Sequence, residues 1–172
     1  MLDKSKNYLI VGLGLLGGKY AQVLSQKGYS VTGITHSQAT LDYALQHDYI
    51  RAGKNADFED LIRAADCIVF GLYPTVLLEW VAQYGQYIRP GTMVTDVSGV
   101  KRGVVEPVQA ALPDGVEFIA SHPMAGRVFF IFNSGVFLLF HGFKLFLLYS
   151  SYHLFYFSTI HTAQDVIFLH KM

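Results

Sequence analysis

Residues 8–17, Tyr8-Leu-Ile-Val-Gly-Leu-Gly-Leu-Leu-Gly17, decide the fold of this 172-residue chain. The apolar start predicts a buried β-strand over residues 7–11, and the pattern G-x-G-x-x-G predicts a tight turn into a helix. Gly12 permits the turn, Gly14 lets a pyrophosphate approach the backbone, and Gly17 lets the helix pack closely on the strand. Between a strand and a helix, this pattern favours a dinucleotide site over a glycine-rich turn without a ligand.

The predicted cofactor contacts lie on three segments that follow strands, because ligands bind at the carboxyl ends of strands in open α/β sheets. In the first segment, backbone N–H groups at the positive end of the helix face the phosphates. The predicted contacts are Gly12, Leu13, Gly14, Leu15, Leu16 and Gly17 in the glycine loop, Thr35, His36 and Ser37 after the second strand, and Leu72 and Pro74 after the fourth.

The choice between NAD and NADP stays open from the sequence. An acidic residue roughly 20 positions past the glycines binds the ribose hydroxyls of NAD and disfavours NADP. Here Gly33 is followed by Ile-Thr-His-Ser without an acid, and Asp42 comes too late, inside the next helix. The missing carboxylate favours tolerance of NADP, whereas the alternative interpretation is that Thr35, His36 and Ser37 are ordinary polar residues at a strand end.

Composition limits the class of protein. The net charge is zero, which gives no electrostatic case for nucleic-acid binding. The single cysteine, Cys67, cannot form an intramolecular disulfide and is predicted to be a buried, unreactive thiol. That usage, with no apolar signal core before the first strand, indicates a cytoplasmic protein. The histidines lack ligand spacing, so we predict no metal site.

Strand and helix patterns alternate along residues 7–120. This order predicts an α/β fold of the Rossmann type, with a doubly wound, mostly parallel sheet. The predicted strands are residues 7–11, 29–34, 49–50, 67–72, 93–97 and, as the last, 116–120. The predicted helices are residues 15–27, 38–47 with Ser37 as its cap, 57–65, 75–88 opened by Pro74, and 101–111.

Two later segments carry candidate chemistry, Thr95 to Arg102 and Ala120 to Arg127. His122 can accept or donate a proton near neutral pH and is the candidate catalytic residue, although a histidine at a strand end is often structural. Ser98 could bridge His122 and a ligand, or cap the following helix. Lys101 could bind an anionic substrate or be an ordinary solvated residue.

These segments resemble one family. Gly12-Leu-Gly-Leu-Leu-Gly17, Thr95-Asp-Val-Ser-Gly-Val-Lys101 and Ser121-His-Pro-Met-Ala-Gly-Arg127 are similar, in order and spacing, to the prephenate/arogenate dehydrogenases of tyrosine biosynthesis. The resemblance covers about residues 7–127. It implies an NAD- or NADP-dependent oxidoreductase of aromatic amino acid biosynthesis, which oxidatively decarboxylates prephenate or arogenate.

The resemblance also implies roles for individual residues. His122 would hydrogen-bond the ring hydroxyl of the substrate and polarise it as hydride leaves. Ser98 would support this histidine, although many members have the serine one position later, where this chain has Gly99. Lys101 and His122 are therefore the candidate substrate contacts, and Ser98 and His122 the candidate catalytic pair.

Composition changes abruptly after Arg127. Residues 128–172 carry three of the 26 charged side chains but 13 of the 25 aromatic ones. We expect a dinucleotide-binding domain over residues 1–127 and an apolar tail of non-family sequence over 128–172, explained by out-of-frame translation. The family's helical dimerisation domain, and with it the homodimer interface, would then be absent and the enzyme impaired. A membrane span is the less favoured alternative, since a central Lys144 costs roughly 2.5–3.5 kcal/mol.

Two other functions remain open from the sequence. One is another Rossmann-fold oxidoreductase of the hydroxyacid dehydrogenase type, against which the His-Pro-Met-Ala-Gly segment argues. The other is a nucleotide-binding or membrane-anchored protein without catalysis.

Overall fold

The computed structural model describes residues 3–124, 130–132, 135–137 and 144–147, without the side chains from residue 122 onward. The strands are β1 Asn7–Val11, β2 Ser30–Ile34, β3 Ala52–Lys54, β4 Cys67–Phe70, β5 Met93–Asp96, β6 Glu117–Met124, β7 Phe130–Phe132, β8 Gly135–Phe137 and β9 Lys144–Leu147. The helices are α1 Leu15–Gln26, α2 Gln38–Gln46, α3 Glu59–Ala64, α4 Pro74–Tyr84 and α5 Val105–Ala111, with a 3₁₀ turn at Gly85–Tyr87.

The main sheet has the order β3-β2-β1-β4-β5-β6-β9. Its first six strands are parallel, and β9 pairs antiparallel with β6, with His122 opposite Phe146. The chain reverses direction across the sheet between β1 and β4, which is where doubly wound folds bind nucleotides. The predicted Rossmann-type α/β fold is confirmed. Strands β7 and β8 form a separate antiparallel pair.

The sheet is covered on both faces, as alternate residues of one strand show. Leu9 and Val11 of β1 belong to one buried cluster, and Tyr8 and Ile10 belong to the other. This alternation is the pattern of a sheet with helices on both sides. Cys67 lies in the second cluster, and burial raises the pKa of its thiol to about 12, which agrees with the predicted unreactive cysteine.

The third strand lies later in the chain than its prediction at residues 49–50. Asp48 has a φ of 55°, so the chain turns there instead of extending, and Ile50 is buried as a core side chain before the strand begins at Ala52. Asp57 has a φ of 48°, and the third helix therefore begins at Glu59 and not at 57. Left-handed conformations are uncommon outside glycine and are not readable from these two residues.

The remaining boundary corrections lie nearer the candidate site. Strand β4 ends at Phe70, α4 ends at Tyr84, and α5 begins at Val105 instead of 101. Strand β6 was predicted to end at Ala120 as the last strand, but it continues through Met124, where it pairs with β9. His122 therefore lies within a strand and not just past one.

Candidate functional site at the carboxyl edge of the sheet

The glycine loop begins where β1 meets its two neighbouring strands. Gly12 has a φ of +89°, and its N–H donates to the carbonyl of Ile34 at 2.8 Å. On the other side, the Gly71 N–H donates to the carbonyl of Val11 at 2.7 Å. The positive φ explains the requirement for glycine at the turn, as the sequence predicted.

The start of α1 packs against this turn with no room for side chains. A Cβ atom on Gly17 would lie 1.9 Å from the carbonyl oxygen of Gly12, and one on Gly71 would lie 2.6 Å from the same oxygen. Gly71 is thus a site residue that sequence reasoning missed. A glycine directly after the buried β4 strand was the available signal, because such glycines mark close backbone approach.

Gly14 has the opposite environment. It is the N-cap of the 12-residue helix α1, and the direction of its missing Cβ is open, with no atom within 4 Å. The side chain of Leu15 is 93% exposed. The first amides of a helix have no partner within the helix, so this opening exposes N–H donors at the positive end of the helix dipole. These features fit a pyrophosphate group.

The other predicted contacts of the loop are divided between surface and core. Leu16 is partly buried against one core cluster, and Leu13 is itself buried there, so Leu13 can offer a ligand only its backbone. The methyl groups of Leu13 also explain Gly33, where a Cβ would lie 2.9 Å from Leu13 Cδ1.

At the end of β2, two of the three predicted ribose contacts are engaged locally. Ser37 caps α2 as predicted, because its Oγ accepts a hydrogen bond from the Thr40 N–H at 3.2 Å. Thr35 is buried and its N–H donates to Lys54 O at 3.2 Å. His36 is exposed and is the side chain of the three that solvent or a ligand can reach most freely.

The segment after β4 provides an apolar wall and a helix start. Leu72 packs on the core, and its Cδ2 would lie 2.7 Å from a Cβ on Gly12. Pro74 is the first residue of α4, as predicted, and the preceding Tyr73 is 81% exposed.

Asp96, at the end of β5, organises the second half of the site. Its carboxylate is fully buried and accepts hydrogen bonds from Lys101 Nζ at 2.6 and 2.5 Å. The Ser98 Oγ and N–H lie 2.6 and 3.2 Å from the same carboxylate, and the Ser121 N–H lies 3.3 Å from it. Side chains of β5 and of the following loop, together with the backbone N–H of Ser121 in β6, are therefore joined at one carboxylate.

The surroundings of Asp96 are largely protected from water. Burial lowers the pKa of the Lys101 ammonium from its ordinary value, and the charge of Asp96 acts in the opposite direction. Burial, followed by the charge of Asp96, raises the pKa of Tyr20 on α1 to about 12. The Oγ of Ser121 donates to the Asp96 carbonyl and lies 3.2 Å from Thr95 Oγ1.

These contacts rule out one alternative for each of two predicted site residues. Ser98 does not cap the following helix, which begins at Val105 with Val104 as its N-cap and without a side-chain cap. Lys101 is not an ordinary solvated residue, because its side chain is 16% exposed and paired with Asp96. The side chain of His122 lies outside the described part of the structure.

Asp96 was not singled out as a site residue from the sequence. The available signal was an acid at the end of the strand Met93-Val-Thr-Asp96, since buried carboxylates are rare unless they are paired.

Among the described residues, no three His, Cys, Asp and Glu side chains lie together as metal ligands. No helix among those residues has the length and hydropathy of a membrane span. Within the span considered at residues 128–157 and the proposed tail, the structure describes only the strands at 130–132, 135–137 and 144–147, and the rest lies outside the described residues.

Comparison with known proteins identifies related chains. The family described as the prephenate dehydrogenase nucleotide-binding domain matches residues 20–145. A prephenate dehydrogenase of Bacillus subtilis is 31% identical over 122 residues, which is 69% of this chain and 32% of that protein. The chain therefore spans about a third of the length of this relative. The family match continues past Arg127, and the predicted boundary there stays a prediction.

Solved structures give the same relationship. Synechocystis arogenate dehydrogenase superposes with a TM-score of 0.63 at 27% identity, covering 70% of this chain and 41% of that one. The A. aeolicus prephenate dehydrogenase, crystallised with hydroxyphenyl propionate and NAD⁺, superposes with a TM-score of 0.63 at 26% identity, covering 70% and 42%.

Proposed function

Because the chain belongs to the prephenate dehydrogenase nucleotide-binding domain family, we propose that it binds NAD or NADP across the glycine loop, as the cofactor half of a prephenate or arogenate dehydrogenase. The observation that carries this proposal is the contrast within the glycine loop. Gly12 and Gly17 are closed by backbone atoms, whereas Gly14 opens outward beside the start of α1. A ligand explains the glycine at 14, where packing does not require one.

Different segments of the site would contact different parts of the cofactor and substrate. Amides of Gly14, Leu15 and Leu16 would hold the pyrophosphate, and Leu72 would line the crevice beside Gly12. A bound nicotinamide would supply the acceptor for a hydride from the substrate. His122 would hydrogen-bond the ring hydroxyl of prephenate or arogenate, with Ser98 and Lys101 ordering the loop beside it through Asp96.

The end of β2 supports acceptance of NADP. Residues 33–38 contain no carboxylate that would repel a 2′-phosphate, and His36 is exposed there. Lys54 pairs with Asp60 at 2.8 Å and so leaves this region without an unpaired ammonium from β3. We therefore propose binding of both cofactors without strong exclusion of NADP.

Replacing Gly14 with valine tests the cofactor site. The added side chain meets no protein atom at its Cβ, so the stability loss should be limited to about 1 kcal/mol for a poorer N-cap residue, whereas cofactor affinity should fall roughly tenfold or more because the pyrophosphate loses its approach. Fluorescence titration with NADH and NADPH measures the affinity, and urea denaturation measures stability.

A matched control is Ala39→Val, which adds two of the three carbon atoms that Gly14→Val adds, near the start of α2 at an exposed position away from the loop. Equal affinity in Gly14→Val and the parent, or absence of NADH and NADPH binding by the parent, would contradict the proposed site.

The activity of this chain is a separate proposal. The chain spans about a third of the Bacillus relative, and the expected cytoplasmic enzyme requires substrate contacts beyond those described. We expect cofactor binding with little or no turnover of prephenate, measured as NADH or NADPH formation at 340 nm. Normal turnover by the purified chain would refute the proposed impairment and leave the cofactor site intact.

A further inference from the structure

We infer that Asp96 is a positioning residue, which fixes the Ser121 peptide and thereby the backbone that carries His122. The inference rests on the catalytic role proposed for His122. In this inference, the hydrogen bonds among Asp96, Lys101 and Ser121 together fix the position of the backbone beside His122.

Strands β5 and β6 stop pairing shortly before His122. Their parallel register ends with Asp96 opposite Ala120. Ser121 lies one residue further, where its N–H donates to Asp96 Oδ1 and its Oγ donates to the Asp96 carbonyl. A side chain thus continues the pairing for one more residue, directly before His122.

The carboxylate of Asp96 is held in one orientation. Asp96 Oδ2 accepts from Lys101 Nζ, Ser98 Oγ and the Ser98 N–H, and Oδ1 accepts from Lys101 Nζ and Ser121. Contacts on both oxygens prevent rotation of a group that is fully buried. The charge of Lys101 is balanced within the pair, so Lys101 orders the loop and does not present an unpaired cation to a substrate.

A second carboxylate with backbone and cationic partners lies at the opposite edge of the sheet. There Asp66 Oδ2 accepts from the Asn7 N–H at 2.9 Å, and Asp66 Oδ1 lies 3.3 Å from Arg89. The side chains of Asp66 and Arg89 are 30% and 51% exposed. Those of Asp96 and Lys101 are 0% and 16% exposed. The buried ion pair, Asp96 with Lys101, is therefore the one at the same edge of the sheet as the glycine loop.

Two paired variants separate positioning from stability. Asp96→Asn/Lys101→Met and Asp96→Leu/Lys101→Met both remove the charges, but only the asparagine keeps an acceptor for the Ser121 N–H. The readout is the rate at which diethyl pyrocarbonate modifies His122, located by mass spectrometry across a range of pH, with exposed His36 as the internal standard.

The asparagine variant, which keeps the acceptor for the Ser121 N–H but loses the Lys101 contacts, should stay much closer to the parent rate and pH profile at His122 than the leucine variant. The leucine variant should change the rate by roughly two- to thirtyfold, the range found for residues that act through others, with His36 unaffected. Equal His122 behaviour in the two variants would overturn the inference.

A single pair covers the case in which the double variants do not fold. Ser121→Ala removes the hydrogen bond to the Asp96 carbonyl, and Thr92→Ala removes a buried hydroxyl that bonds Ala65 O at 3.3 Å, at the other end of β5. Only Ser121→Ala should change the His122 rate, and an unchanged rate would refute the inference. Cofactor titration of the same parent sample tests the proposed function separately, since failure to bind NADPH leaves the His122 rates readable.

Discussion

Replacing Gly17 with alanine should lower the free energy of unfolding by about 3 kcal/mol or more and abolish cofactor binding. The added Cβ would lie 1.9 Å from the Gly12 carbonyl oxygen, and both partners are backbone, so neither can move aside as a side chain would. Overpacking of this kind typically costs about 1–3 kcal/mol, and a backbone clash lies at the upper end. Urea denaturation measures the loss.

The neighbouring glycine provides the control. Gly18 is also in α1, but a Cβ there would lie 3.2 Å from Leu13 O, a tight contact that a small shift relieves. Alanine also favours the helix over glycine by about 1 kcal/mol, so Gly18→Ala should be close to neutral. Similar losses for Gly17→Ala and Gly18→Ala would show that packing of α1 on the turn does not require Gly17.

Replacing Lys101 with methionine should cost about 3–5 kcal/mol, because it leaves the carboxylate of Asp96 buried without its cation. The double variant Asp96→Asn/Lys101→Met should recover most of this loss, since it removes the buried charge as well. Urea denaturation of the two variants and the parent measures both changes.

Lys54→Met is the matched control for the loss of a lysine. Lys54 pairs with Asp60 at 2.8 Å, but the two side chains are 40% and 63% exposed, and such pairs contribute about 0–1 kcal/mol. Equal losses for Lys101→Met and Lys54→Met would contradict a buried, obligatory pair at the end of β5.

The sequence predicted the elements whose boundaries depend on local chemistry. Strand β1, the glycine turn, the cap at Ser37 and the helix start at Pro74 agree with the structure, because each depends on residues adjacent in the chain. The parallel, doubly wound character of the sheet followed from the alternation of strands and helices, whereas its strand order comes from the structure. Strand β3 could not be placed, because Asp48 adopts a left-handed conformation that its sequence neighbours do not specify.

The site was predicted in outline but not in its connections. The roles of its glycines could be predicted from their spacing in the sequence. Those of Ser98 and Lys101 depend on hydrogen bonds to the Asp96 carboxylate, which form only when the loop after β5 folds back. Likewise, Ser121 joins Asp96 across 25 residues. The extension of β6 through Met124 depends on pairing with β9, which the apolar, aperiodic sequence after Arg127 did not reveal.

Everything proposed for this chain depends on a dinucleotide bound at the glycine loop. The most direct measurement is a ¹H–¹⁵N NMR titration of the full chain with NAD⁺ and NADP⁺, followed at each backbone amide. Binding at the glycine loop should shift the amides of Gly14, Leu15 and Leu16, with those of Thr35 to Ser37, while those of Asn7 and Asp66 at the opposite edge stay unchanged. Unchanged amides in the glycine loop at saturating cofactor, or shifts confined to another surface, would contradict it.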